Sequence, residues 1–545
     1  MDNIRLLLWA SFSLLLWFTY QAWVTQYPAP VPETPQGIGA DPQPAQTVPA
    51  DAELPQISSP TTPTAPLATA AAEPSQPIRI HTDVLDALID AQGGDLVQVD
   101  LPDYPIDKGV STPVRLLNFT QEGRWVFQTG VRSAAGTDEP NHLATFTAED
   151  VEYVLGEGSD ELIVSLDWQN SGPLRARKVY TFHRGQYAVD LNIILENASD
   201  QAWSGAAYAQ ILRQHRPVER SFVSVDSYSF TGPVLYDGDQ YEKLDVEDLI
   251  EEPIAQRLTG GWFAAIQHHF LAAIVPPPTE EFNYQAAARG EEYILTGLSN
   301  ITEVPPGGRL EFPLTLFVGP KLQNQLSVAG PSLELTVDYG MLTILSQPLF
   351  WALERIHRVV GNWGWAIIII TFLIKLVFYK LTETSGRSMA KMRKLQPRMK
   401  ALQETYKDNR EELSRHMMDL YKREKVNPAA GCLPILIQMP FFFAFYWVLI
   451  ESVEMRQAPF MLWIDDLSSR DPFFVLPLLM GAAMLIQTRL NPAPPDPVQA
   501  KVMQIMPIMF TAFFAFFPAG LVLYWLTNTS LSILQQWRIN KVIAD

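Results

Sequence analysis

The chain has 545 residues, enough for several domains, with 47% hydrophobic residues, 40 Lys+Arg and 59 Asp+Glu. Residues 24–340 hold 17 Lys+Arg against 43 Asp+Glu, while the remainder is net basic and strongly apolar. A soluble acidic body is thus joined to a membrane body, and the acidic face excludes nucleic acid as partner of the larger part, because phosphate binding needs a basic surface.

At the N-terminus, Arg5 precedes about 18 mostly apolar residues ending in Trp and Tyr. That run is long for a cleaved signal sequence and close to the ~20 residues that cross a bilayer, so residues 1–25 are expected to be an uncleaved signal anchor. Residues 26–77 hold 13 of the 43 prolines. With few large apolar groups, this segment cannot offset its ordering entropy and is expected to be an extended tether.

From 78 to 325 the pattern turns to short alternating runs such as RWVFQTGV, ELIVSLDWQNSG and RKVYTFHRGQYAVDLNIILEN. Period-two alternation marks half-buried strands, and HRGQ predicts a hairpin turn. The sum is a large antiparallel β-sandwich. It contains no HExxH, GxxxxGK[ST] or GxSxG, and Glu251 and Glu252 read as solvated loop charges rather than an acid/base pair. Neither cofactor nor enzymatic reaction is expected.

Residues 326–545 form the second body. Leu349, Phe350, Leu353, Ile356 and Val360 lie opposite Glu354, Arg355 and Arg358, as in a helix lying in the membrane interface. Five apolar stretches follow, near 362–379, 433–451, 472–488, 502–518 and 519–537, which with the anchor make six expected spans. The only cysteine, Cys432, reads as a small apolar filler. Residues 380–430 contain 13 Lys+Arg, whereas the loop 452–471 has two arginines. The dense basic loop therefore belongs in the cytoplasm together with both termini, and the sandwich belongs on the outer side. Within that loop Met389, Met392 and Met399, then Met417, recur at helical spacing, predicting an amphipathic helical hairpin. Its methionines either glue the hairpin together or form an adaptable contact surface.

Inside the apolar run IIIITFLIKLVFYK stands Lys375, a residue that such a helix normally excludes. It could snorkel, since Lys380 is only ~7.5 Å further along the axis. It could pair with an intramembrane acid, although none is visible in the other spans. It could face a polar, water-filled pocket. Thr371 and Tyr379, four residues before and after it, fall on its face. Gln438 of the third span and Thr527 and Asn528 of the sixth could add polar atoms. A secondary transporter or channel would also suit a lone cavity charge, but would call for inverted repeats that the sequence lacks.

The strings GNWGWAIIIITF, SMAKMRKLQP, LYKREKVNPAAGCLPILIQMP, VEMRQAPFMLWIDDLS, DPFFVLPLLMG and FFPAGLVLYWLTNTSLSILQQW resemble the YidC/Oxa/Alb family of bacterial inner-membrane insertases, in its Gram-negative form. The resemblance covers about 340–537 and extends to the layout of anchor, tether and sandwich. It implies a multi-pass inner-membrane protein whose five-span core encloses a hydrophilic groove, open to cytoplasm and lipid and closed outside. The family's groove arginine is replaced by Lys375, which keeps the charge and loses the planar fork of donors. Groove positions map onto Thr371, Gln438, Tyr524 and Trp525. Implied partners are nascent membrane proteins, the Sec translocon, membrane lipids and the ribosome. With few basic groups in RINKVIAD, the hairpin is the expected ribosome contact.

Overall fold

A computed structural model describes residue 55 and residues 77–544, apart from 121, 135–138, 171, 217–228, 407–408, 425, 427–432 and 491–496. The expected anchor, nearly all of the tether, and Cys432 lie outside the described residues.

Alternation in the sequence becomes strands from Pro77 to Pro320, arranged in three sheets. In Leu174–His183 the even-numbered residues are buried and the odd-numbered ones more open; the strand pairs antiparallel with Ala188–Asn197 in the register Phe182↔Val189. The predicted HRGQ turn joins them, with Gly185 at φ +69°, a left-handed conformation that glycine adopts without steric cost. These two strands sit in a nine-stranded sheet that faces a six-stranded path, with strand Trp125–Ser133 paired to Trp203–Gln214. A five-stranded sheet adds an element the expected antiparallel sandwich lacked: Pro77–His81 runs parallel to Glu152–Val154. The shared core includes Phe127, Tyr180, Phe182, Trp262 and Phe317. Glu251, expected in a loop, ends the short helix α1 (Val246–Glu251), and α2 (Gln323–Ala329) follows the last strand.

The second body contains α3 (Thr343–Val360), α4 (Trp363–Val377), α5 (Tyr379–Thr405), α6 (Arg410–Arg423), α7 (Leu433–Glu451), α8 (Val475–Leu490), α9 (Pro497–Phe514) and α10 (Ala519–Ala544). These helices fall close to the five expected apolar stretches, the interfacial helix and the hairpin. Among the described residues no single helix is long and apolar enough to cross a membrane; α4 and α5 meet that test only as a pair, bent by 70°. The helices nevertheless leave large apolar side chains outward: Phe372, Leu376, Leu478, Ile486, Ile508, Phe513 and Leu534 are all exposed.

Candidate functional site

The site forms where α4, α7 and α10 meet. Asn362 caps the start of α4 by accepting from the Trp365 amide at 3.1 Å, and the helix stops at Phe378 although neither proline nor glycine is present there. Tertiary contacts account for the break. Phe378 packs edge-on against Phe441 of α7, and Thr382 Oγ donates to the carbonyls of Phe378 and Tyr379, each at 3.0 Å. Gln535 of α10 donates to Thr382 Oγ at 2.8 Å and to the Tyr379 carbonyl at 3.4 Å. Side chains inserted into the backbone ladder are a known cause of helix bends.

Lys375 lies in the last turn of α4, half-buried. Its ammonium donates to Ser532 Oγ at 2.8 Å, and that hydroxyl donates onward to the Asn528 carbonyl at 2.8 Å. Gln438 Nε2 of α7 donates to Asn528 Oδ1 at 2.5 Å. Three helices are thus stitched by a cation, a hydroxyl and two amides, and Asn528 receives both branches. The ammonium is held between helices. Its hydrogen-bond partner among the described residues is a neutral hydroxyl.

On the inner side of Lys375, the space beside Ile374, Phe378 and Gln438 amounts to about 10 Å³, room for about one water. On the other side a cleft of about 360 Å³ runs between α4 and α10, walled by Phe372, Leu376, Leu531, Leu534 and Trp537, with Lys375, Tyr379 and Gln535 at its polar edge. The cavity next to the cation is therefore mostly apolar, and narrower on the inner side than a broad aqueous hollow.

The other expected groove residues are distributed unevenly. Gln438 and Asn528 share one hydrogen-bond network with Lys375. Thr371 is buried and spends its hydroxyl on the Ile367 carbonyl at 2.6 Å. Tyr379 falls beyond the break, so it no longer continues the α4 face, although it borders the cleft. Tyr524 is buried and stacks on Phe445 at 4.7 Å, while Trp525 packs on Phe442 at 4.8 Å and on Phe514 at 5.4 Å. Together these rings form an aromatic cluster about one turn from Asn528 along α10. Thr527 is half-buried beside it. Ser532 was missed by sequence reading. The signal was present, because it follows Asn528 by four residues and so shares its face.

In the hairpin, Met399 and Met417 are buried in one cluster with Leu395 and Val426, and Met392 packs against it. Met389 stands outside the cluster, half-buried. The stripe serves as internal glue from Met392 onward.

Two family models match the chain. The one described as 60Kd inner membrane protein covers residues 355–545, and the YidC periplasmic domain covers 77–352. A membrane protein insertase YidC from Thioalkalivibrio sulfidiphilus is 47% identical over 561 residues, spanning 100% of this chain and 99% of the relative. One from Nitrosococcus oceani is 45% identical over 552 residues, spanning 100% of both. Among solved structures, an active YidC insertase crystal structure with the first transmembrane domain resolved is 20% identical, with a TM-score of 0.38, over 85% of this chain and 92% of that one.

Proposed function

The chain belongs to the YidC family of membrane protein insertases, and from that premise we propose that it inserts small proteins into the inner membrane by offering their polar segments a charged station part way across the bilayer. Moving a charged segment through ~30 Å of hydrocarbon is costly, and a polar station within the bundle shortens that path. The observation that carries the reading is the Lys375 ammonium, tethered to Ser532 and bordering the apolar cleft between α4 and α10. An acidic residue of the translocated segment would be drawn to the cation, while the apolar part of the substrate lies along Leu376, Leu531 and Leu534. The ring cluster around Tyr524 would keep the outer half closed. Insertion makes and breaks no covalent bond, so binding and release suffice.

In this reading the amino-terminal anchor and α7–α10, with the bent pair α4–α5, set the β-domain in the periplasm and the hairpin and both termini in the cytoplasm, as the charge asymmetry of the loops requires. Nascent membrane proteins are the substrates. The Sec translocon is a partner in some insertions, the ribosome docks by way of the hairpin, and lipids cover the outward apolar belt.

The test is charge reversal. Lys375→Glu should slow insertion of substrates with acidic translocated segments by roughly tenfold more than neutral ones, because the sign of the interaction inverts in a low-dielectric site. Lys375→Arg should retain most activity. Equal impairment of both substrate types, or none, would overturn the role given to the cation.

A further inference from the structure

Where the β-domain meets the outer end of α7 there is a second cavity, of about 460 Å³. Two buried charges of opposite sign border it. Lys321, at the end of the last strand, is 2% exposed, and its ammonium makes no hydrogen bond or ion pair with any described residue. Glu451, the final residue of α7, is 3% exposed, and among the described residues its carboxylate accepts from Ser229 Oγ alone. They attract each other at a distance, yet they do not pair. Burying a charge without a partner is expensive, and perturbed titratable groups in a cleft are candidates for a functional site.

The rest of the lining extends the same polarity. Lys243 already pairs with Asp338 and sits on the cationic side with Lys321. Asp245 and Glu247, at the start of α1, add acid; a hydrogen bond between the two carboxyls raises Glu247 above the usual carboxylate range, a sign of crowded negative charge. Burial likewise lowers the Lys321 ammonium to about 8. An anion alone would meet too many carboxylates, and a cation alone would meet Lys321. A group carrying both charges satisfies each side.

We propose that this cavity binds a zwitterionic phosphate and primary-ammonium group, the headgroup of an outer-leaflet phosphatidylethanolamine, with phosphate on Lys321 and ammonium on Glu451. The level in the membrane fits: Glu451 and Trp447 occupy the last turn of an apolar helix, the depth where tryptophan belts and lipid headgroups lie. A ligand there would join the β-domain to the membrane core. The inference rests on α7 being a span, checked separately by labelling Gln240→Cys and Lys400→Cys chains from opposite sides of the membrane.

The test uses the full chain in detergent, titrated with dihexanoyl phosphatidylethanolamine and, in parallel, with dihexanoyl phosphatidylglycerol. Saturable binding of one ethanolamine lipid per chain is expected, with at least a fivefold preference over the glycerol lipid. Lys321→Met and Glu451→Gln should each weaken it roughly tenfold, the scale of one charged hydrogen bond. Lys321→Met removes a buried charge that has no hydrogen-bond partner among the described residues and should fold at least as well; Glu451→Gln keeps the shape as a second arm. Competition by soluble glycerophosphoethanolamine would show that the headgroup alone is the ligand, and its failure to compete would assign the site to the intact lipid. Equal binding of the two lipids, unchanged affinity in both variants, or binding only of a peptide amino terminus would overturn the proposal. The readout is lipid affinity, so it fails or succeeds independently of insertion through Lys375.

Discussion

Three lysines differ in the number of partners their ammonium groups have among the described residues. Lys178 is fully buried in the β-domain, and its ammonium reaches the Gly93 carbonyl at 2.6 Å, Asp95 Oδ1 at 2.7 Å, the Thr129 carbonyl at 2.9 Å and Thr129 Oγ at 2.7 Å. Thr129 also donates to Asp95 Oδ1 through its amide and its hydroxyl, so Lys178, Asp95 and Thr129 form one closed network. Among the described residues the Lys375 ammonium has one neutral partner, and the Lys321 ammonium has none. Removing one side of a saturated buried pair leaves the other charge stranded. Lys178→Met should therefore destabilise the β-domain by about 3–5 kcal/mol, and adding Asp95→Leu should recover most of that, as read by denaturant unfolding of the full chain. A single-variant loss below about 1 kcal/mol would show that Asp95 finds water instead. Lys375 was legible in the sequence because it interrupts an apolar run. Lys178 was legible only by parity: it shares the even-numbered, buried face of its strand with Leu174, Ala176, Tyr180 and Phe182. Lys321 was not legible, since no local pattern marks a residue whose burial is completed by a helix more than a hundred positions away.

At the scale of elements, periodicity carried the hairpin and tertiary contact decided the break before it. The methionine spacing placed Met392, Met399 and Met417 on apolar faces, and those faces pack on one another, so the two helices close over a single small core. Met→Ala at a buried position typically costs 2–5 kcal/mol, and so small a core has little else to absorb the loss. Met399→Ala and Met417→Ala should each raise amide exchange throughout α5 beyond Ala390 and throughout α6, whereas Met389→Ala should leave both rates within error. Faster exchange in the Met389 variant alone would reverse the assignment of glue and surface. The end of α4 carried no such signal. IIIITFLIKLVFYK reads as one continuous helix, and only Gln535, Thr382 and Phe441, drawn from three places in the chain, turn it through 70° at Phe378. That bend aims the basic hairpin away from the α4 axis and leaves Lys375 at the helix end, where its side chain reaches α10.

At the scale of the whole molecule, the β-domain rests on the loop between α7 and α8, a contact invisible to a reading that counted this loop only for its scarcity of positive charge. Arg456 donates to the carbonyls of Pro105 and Ile106 at 2.7 and 3.1 Å, Gln457 to that of Pro105 at 3.2 Å, and Lys108 to the Asp465 carbonyl. His268 and His269, stacked at 3.7 Å, both reach the Ile450 carbonyl, at 3.0 and 2.9 Å. All six of these bonds end on backbone carbonyls, so side-chain complementarity in the sequence could not have announced them. The same junction holds Glu454, near Tyr104 and Tyr339, with its carboxyl pushed by burial up to about 7. A carboxyl whose folded value is raised holds its proton longer in the docked state than in the open one, so docking weakens as the pH rises. The loss begins above the ordinary glutamate value of about 4.3 and is complete once the pH passes about 7. The midpoint of thermal unfolding of the β-domain in the full chain should accordingly fall by roughly 2–4 °C between pH 5 and pH 7.5. Glu454→Gln, which keeps the shape and cannot ionise, should flatten that slope and hold the junction at its low-pH stability. A slope unchanged in the variant would move the titration elsewhere, and a slope of opposite sign would mean that the carboxylate is stabilised at the junction rather than expelled from it.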